Sequence, residues 1–549
     1  MTLLSRAERA AHHTIARVGE VGVVTVYFVV STCLLTYPQV TQLTSAIGAH
    51  YDALFSIWRL AWVAHQLPRD PLRLFDSNIF WPEPNTLAYS DALLLQGVLA
   101  APLIWAGASA VTAHNLLILL SFVTAGVAMF LLARSLGSSL AASTLAGSIF
   151  AFQPYRFAHY PQLELLWTCW MPLACLYLHR VLSNGRLRDG LLLGVAVSLQ
   201  IYSCLYYGVF LVLLVGIVAA VLWSVAPDRR ASLTAVAAAA SIVAMLCAPY
   251  ARPYLDTRPV VGTRTVEEVR DWSPSPSNYL AVNTDNRIYP WRARRAGHIE
   301  GVLFPGAVAV GLAALALLRP SRVVLAYLAA VVIGFDLSLG TNGVLFPLGR
   351  ALLPPFESLR APGRAFVIVS TALAVLAGLG ASKLARWRGR GGLPVVLALL
   401  CLAALESLSV PLTLDHVPPV PRAYAWLAQQ PATKIAEWPV PSPTGLGYTR
   451  DAEYMFFSTR HWHRLVNGYS GFFPPSYVTF LNVMRRFPDP SSLDYLRQTR
   501  VRYVVLHSAP AEERYRELVT RLRRHADVEF VFQDRTTAEE ISVFRLRGV

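Results

Sequence analysis

Polar and apolar positions in this chain separate into long blocks. Apolar runs of about 17–24 residues recur, divided by short polar connections, and each can cross the roughly 30 Å hydrocarbon layer of a bilayer as a helix. The pattern predicts spans at 20–42, 112–134, 139–153, 165–182, 189–204, 206–224, 231–249, 301–318, 322–339, 363–384 and 393–411. One more run, 92–108, has about 17 residues and sits at the lower limit for crossing. After Leu412 the pattern changes. PRAYAWLAQQP predicts a helix, KIAEWPV, RYVVLHS, VEFVFQD and ISVFRL predict strands, and ERYRELVTRLRRH predicts a basic helix. The expected fold is mainly α: a polytopic helix bundle of about 11 spans over residues 1–412, with a small α/β domain at 413–549.

Charge sets the expected orientation. The short connections 179–190, 226–232, 319–322 and 382–392 are basic, and an even number of spans separates each from the next. Short basic loops stay in the cytoplasm. The N-terminus, with Arg6, Arg9 and Arg17, is inside only if 92–108 does not cross, so 92–108 is expected to be re-entrant or interfacial. The first span then serves as both targeting signal and anchor. Residues 43–111, 153–164, 202–208, 250–300, 340–362 and everything after 412 are expected to face outward, and the unusual chemistry lies in these outer parts.

Composition agrees with a membrane protein: 54% of residues are hydrophobic and 15% charged, against about 25% charged in a soluble domain. The net charge of +15 is dispersed between apolar runs instead of forming one patch, so no nucleic-acid partner is expected. The six cysteines lie in apolar segments without CxxC spacing, which indicates neither a zinc site nor a disulfide framework. No cofactor is expected, and a divalent metal is possible without being indicated by any ligand pattern.

Candidate chemistry begins with GAHYDALFSIWRLAW, where Asp52 stands about ten residues beyond the first span. A carboxylate there can act as general base for a hydroxyl, or serve as a solvated loop acid or helix cap. QPYRFAHYPQLE gathers Arg156, His159, Gln162 and Glu164 between two spans; Arg binds phosphate bidentately, and interfacial anchoring is the alternative. ESLRAPGRAF places Arg360 and Arg364 just before a span on the expected outer side, where lipid phosphate or Glu357 could partner them. Glu267, Glu268 and Glu300 are lesser candidates. Ser90-Asp91 precedes the 92–108 helix, with Asp91 either capping it or meeting substrate. Asp336 and Glu406 lie near span ends; ionisable residues are scarce at mid-span, where ion-coupled transporters usually need them.

The arrangement resembles the GT-C superfamily of polytopic glycosyltransferases. DALFSIWRLAW, NIFWPEPNTLAYSD, FAFQPYRFAH, LRAPGRAF and NGYSGFFPPSY look like an uncharacterised bacterial GT-C-like or YfhO-like branch. The resemblance implies a first span, a long outer loop with an acid near its start, and a bundle followed by an outer domain. The superfamily's base corresponds by position to Asp52. His50-Tyr51 precedes it where a second acid is common, and WPEPNTLAYSD stands where a Pro-Pro-Leu run is common.

The function this implies is transfer of a sugar from a polyprenyl-phosphate donor to a glycan or lipid acceptor at the outer face of a bacterial plasma membrane. Asp52 would be the catalytic base, and Arg156, His159, Glu164, Asp91, Arg360 and Arg364 would bind substrate. HWHRLVNGYSGFFPP (461–475) could hold the glycan acceptor. The rival expectations are a non-catalytic membrane assembly or accessory protein of the same architecture, and a lipid or polysaccharide transporter.

Overall fold

The computed structural model describes residues 3–295, 297–441, 449–509, 511–536 and 539–549. Its contacts gather into two units. One comprises Met1–Leu43, Asn115–Pro249 and Thr263–Thr413; the other comprises Thr44–His114, Tyr250–Gly262 and Leu414–Val549. The second unit therefore combines the first long loop with the C-terminal segment.

The first unit is helical. A helix occupies each of the eleven segments whose apolar run predicted a span. Among the described residues, five stretches are long and apolar enough to cross a membrane: Ala110–Ser135, Leu163–Asn184, Leu205–Val225, Arg229–Val261 and Pro362–Glu406. The Phe366–Arg388 helix is buried from Phe366 to Ser382, apart from the half-buried Leu379, and packs against Ala307–Leu317, Arg322–Ser338 and Leu140–Ala151. Small residues permit that approach: a β-carbon at Gly380 would lie 1.9 Å from the Leu312 carbonyl oxygen.

Two acids singled out in the sequence are helix caps. The Glu406 carboxylate accepts from the Ala307 and Val308 N–H groups at 3.0 and 3.1 Å, at the start of Ala307–Leu317. Asp336 accepts from Val344 and Leu345 N–H, at the start of Leu345–Leu352. Each negative charge meets the positive end of a helix dipole. Their place near span ends is explained by capping.

In the second unit the helix Tyr51–Gln66 follows a short strand, β1 (Ala46–Gly48). β1 pairs antiparallel with β2 (Leu414–His416), Ile47 facing Asp415. The helix Leu94–Trp105 has 12 residues and is about 18 Å long, as short as Leu140–Ala151 and Ala307–Leu317. The C-terminal segment builds a mixed sheet from β3 (Lys434–Trp438), β4 (Arg464–Leu465), β5 (Tyr503–His507), β6 (Val528–Asp534) and β7 (Ile541–Leu546), in the order β4-β3-β5-β7-β6. β4-β3-β5 run parallel and β5-β7-β6 antiparallel. Beyond β4, residues 78–81 of the first loop add backbone bonds: Leu465 N–H donates to Asn78 O at 2.7 Å, and Trp81 N–H to Leu465 O at 2.9 Å.

Candidate functional site

Asp52 lies in the first turn of Tyr51–Gln66. His50 occupies the N-cap position, and its Nδ1 accepts from the Asp52 N–H at 3.2 Å. A carboxylate in a first turn is stabilised by the helix dipole. The Tyr469 hydroxyl donates to Asp52 Oδ1 at 2.8 Å, and the Asp52 side chain keeps 14% exposure. Asp52 is thus oriented, hydrogen-bonded and still open to solvent. One stripe of the same helix carries Tyr51, Phe55, Trp58 and Trp62, spaced four, three and four residues apart. Tyr469 packs edge-on against both Tyr51 and Phe55, and Trp462 packs against Trp62.

Asp91 does not cap the helix that follows it. The N-cap position is Leu93, at φ 51°, without a side-chain cap. The chain at 90–92 is held by its backbone instead: the buried Arg59 donates to Asp91 O at 2.6 Å, and Tyr254 OH donates to Ser90 O at 3.2 Å. The N-cap position falls to Leu93 and not to Ser90 or Asp91, so the capping expectation is corrected.

In the first unit the structure joins three of the sequence candidates. Arg364 donates to Glu300 Oε1 through Nε at 2.8 Å and Nη2 at 2.6 Å, and His159 Nε2 lies 3.2 Å from Glu300 Oε2. His159 Nδ1 faces the Tyr155 carbonyl at 2.9 Å. Burial alone would raise the Glu300 carboxyl, but Arg364 and His159 hold it well below the usual carboxylate range. Glu300, a lesser candidate in the sequence, is the centre of this cluster.

Arg156 has different partners. It is 1% exposed, donates to Thr168 Oγ1 at 2.7 Å and lies over the Phe122 ring at 4.6 Å. Its Nε has no hydrogen-bond partner and, among the described residues, no carboxylate pairs with it. A buried guanidinium without a counter-charge is costly unless an anion arrives. Glu164 is buried in the short helix Leu163–Leu166. Arg360 stacks over Trp272 at 4.9 Å and comes within 3.9 Å of Glu268, which Arg264 already engages at 2.8 Å.

The C-terminal sheet holds a further buried polar cluster. His507, at the end of β5, lies 3.0 Å from both Glu437 and Glu539, and Tyr424 donates to Glu437. Burial works against a charged His507, yet the two carboxylates leave its proton affinity raised. Asp451 accepts from Asn467 and Tyr477, and burial pushes it up to about 7. Among the described residues, no group of three or more His, Cys, Asp or Glu side chains is placed to hold a metal ion.

Sequence reasoning missed Tyr469 as the donor to Asp52, and Arg59. The available signal was the aromatic stripe at 51, 55, 58 and 62, which required a ring-bearing partner from elsewhere in the chain.

No protein-family model matches the chain, and no curated protein matches it. Solved structures do. The arabinofuranosyltransferase AftD from mycobacteria aligns with a TM-score of 0.64 at 15% identity, covering 96% of this chain and 40% of that one. ArnT from Cupriavidus metallidurans aligns at 0.49 and 13% identity, covering 97% and 98% of the two chains. The Archaeoglobus fulgidus oligosaccharyltransferase AglB aligns at 0.48 and 13%, covering 88% and 69%. The chain spans about two fifths of the length of AftD. AftD is matched over nearly all of this chain, and the chain shares the fold of that part of it.

Proposed function

We propose that this protein transfers a sugar from a polyprenyl-phosphate donor to a glycan or lipid acceptor at the outer face of a bacterial plasma membrane. In this reading the chain crosses about eleven times, with the N-terminus inside, and residues 413–549 form an outer domain. The AftD-like fold, extending over 96% of the chain, is the observation that carries it.

Asp52 takes the proton from the acceptor hydroxyl as that oxygen attacks the anomeric carbon. The bond from that carbon to the phosphate oxygen breaks, its electron pair leaves with the polyprenyl phosphate, and the single displacement inverts the configuration. Asp52 ends protonated. Tyr469, donating to Oδ1, and His50, whose Nδ1 lies 3.3 Å from Oδ2, hold the carboxylate in place. Arg156 is the first choice for the departing phosphate, because its charge is unmatched by any acid. Arg360, partly exposed, is the second. Arg364 and His159, already matched to Glu300, position the chain around them.

The test is incubation of the purified protein and its Asp52→Asn variant with a panel of polyprenyl-phosphate sugars and candidate glycan acceptors, read by mass spectrometry. Release of polyprenyl phosphate by wild type alone supports the reading. Equal release by both proteins removes Asp52 from the chemistry. Donor binding by both without turnover points to a non-catalytic lipid-handling protein.

A further inference from the structure

The second unit contains a cavity of about 180 Å³ at the far end of the helix that carries Asp52. Trp62 and Trp462 form an angled wall, their rings 5.6 Å apart at 61°. Gln66, Asp70, Asp76 and Arg464 supply polar groups around it, with Arg73 at the rim. Drug-sized ligands need roughly 300–1,000 Å³, so this space suits a smaller group such as one sugar ring.

The lining has the chemistry of a saccharide site. Two acids, Asp70 and Asp76, balance two cations, Arg73 and Arg464, so no net charge selects an ionic ligand. Some of the polar groups are already committed. Asn78 gives Oδ1 to Trp58 and Nδ2 to Ser458 and the His463 carbonyl; Gln66 Nε2 donates to Asp70 O at 3.0 Å. Asp70 meets Arg73 only at 3.7 Å, with both exposed, which leaves carboxylate and guanidinium edges for hydroxyl groups. Sugar rings present this combination, an apolar C–H face for an aromatic and an equatorial girdle of hydroxyls for planar acceptors and donors.

Trp462 supplies a second observation. Its backbone lies at φ 56°, a left-handed conformation that is uncommon for any side chain and an outlier for a bulky one. Glycine would adopt it freely, yet a tryptophan stands there, stacked on His65 at 4.3 Å and partly exposed. Strained backbone at a large ring is the kind of feature that collects at ligand sites.

We propose that this cavity binds one ring of an uncharged oligosaccharide acceptor, with the partly exposed Trp462 as its stacking ring beside the edge of the buried Trp62. The proposal rests on the transferase reading for the ligand's role as acceptor. Ten residues of helix separate Asp52 from Trp62, about 15 Å along the axis. The acceptor is therefore an oligosaccharide whose reacting end lies several rings from the end held here, and a free monosaccharide is a poor acceptor.

Calorimetric titration of the full chain in detergent with maltohexaose, mannohexaose, arabinohexaose and inorganic phosphate tests this. Saturable binding of at least one hexasaccharide is expected, weakened about tenfold in Trp462→Ala and weakened again in Gln66→Ala. Melting temperatures matched to wild type exclude unfolding as the cause; if Trp462→Ala melts early, Gln66→Ala decides. No hexasaccharide binding, affinity unchanged in both cavity variants, or phosphate displacing the sugar overturns the proposal. Binding without turnover sinks the transferase reading and leaves this site standing, while turnover without binding does the reverse.

Discussion

Tyr469 and Asp52, 417 positions apart in the chain, are joined by a 2.8 Å hydrogen bond from the phenol to the carboxylate. The two residues belong to segments that a sequence-ordered view assigns to opposite ends of the protein. Their pairing yields the first prediction. Asp52→Asn should lower transfer by about 10²–10⁴-fold, whereas Tyr469→Phe should retain part of the activity. Initial rates measured between pH 5 and pH 8 check both.

The Arg364–Glu300 pair predicts an asymmetry in stability. Glu300 is 2% exposed, so Arg364→Gln leaves a buried carboxylate with only His159 for support. The loss should be about 3–5 kcal/mol. The double variant Glu300→Gln/Arg364→Gln removes both charges and should recover most of it. Thermal melts of the three proteins in one detergent decide. Equal damage in the double variant would show that Arg364 contributes through something other than Glu300.

A pH effect follows from Asp451. Its carboxyl holds a proton to about 7 when folded, against 3.8 ordinarily, so between those values the folded chain binds more protons than the unfolded one. Stability then falls as pH rises through that window, by about 4 kcal/mol in total. His507 acts in the same sense: its raised proton affinity gives stability that is complete below 6.5 and is lost as pH rises through its folded value. Melting temperature should therefore decline from pH 5 to pH 8. Asp451→Asn, which stays uncharged throughout, should flatten the early part of that decline.

Gly380→Ala tests the bundle. The added carbon would meet a backbone carbonyl 1.9 Å away, so the helices Ala307–Leu317 and Phe366–Arg388 must separate. Overpacking of this kind costs about 1–3 kcal/mol. Gly216→Ala, with open space at the same point, should be nearly silent in the same melt.

The positions of the helices were legible in the sequence because a bilayer imposes one requirement, an apolar run of sufficient length, on each span. The strands at 434–438, 503–507, 528–534 and 541–546 were legible for a related reason, since short runs of β-branched and aromatic residues with turns between them have few other uses. Partners were not legible. HIEGVLFPG and LRAPGRAF each drew notice alone, but nothing in either fixes Glu300 against Arg364. Asp336 and Glu406 were visible as acids near span ends, while their work as caps depended on where another helix begins. Asp91 failed for the opposite reason: a local capping pattern was overridden by Arg59, a residue 32 positions away that holds its carbonyl.

The backbone bonds between residues 78–81 and Leu465 also set a timetable for synthesis. The edge of β4 is completed by a segment that leaves the ribosome nearly 400 residues earlier. At about 5–20 residues per second, that segment waits roughly 20–80 s for its partner. Until then Phe80 and Trp81 lack the strand beside which they pack, and a nascent chain truncated before β4 carries them unsheltered. Translation speed across the intervening helices, and any chaperone present at the site of insertion, thereby become determinants of how much correctly assembled protein a cell obtains.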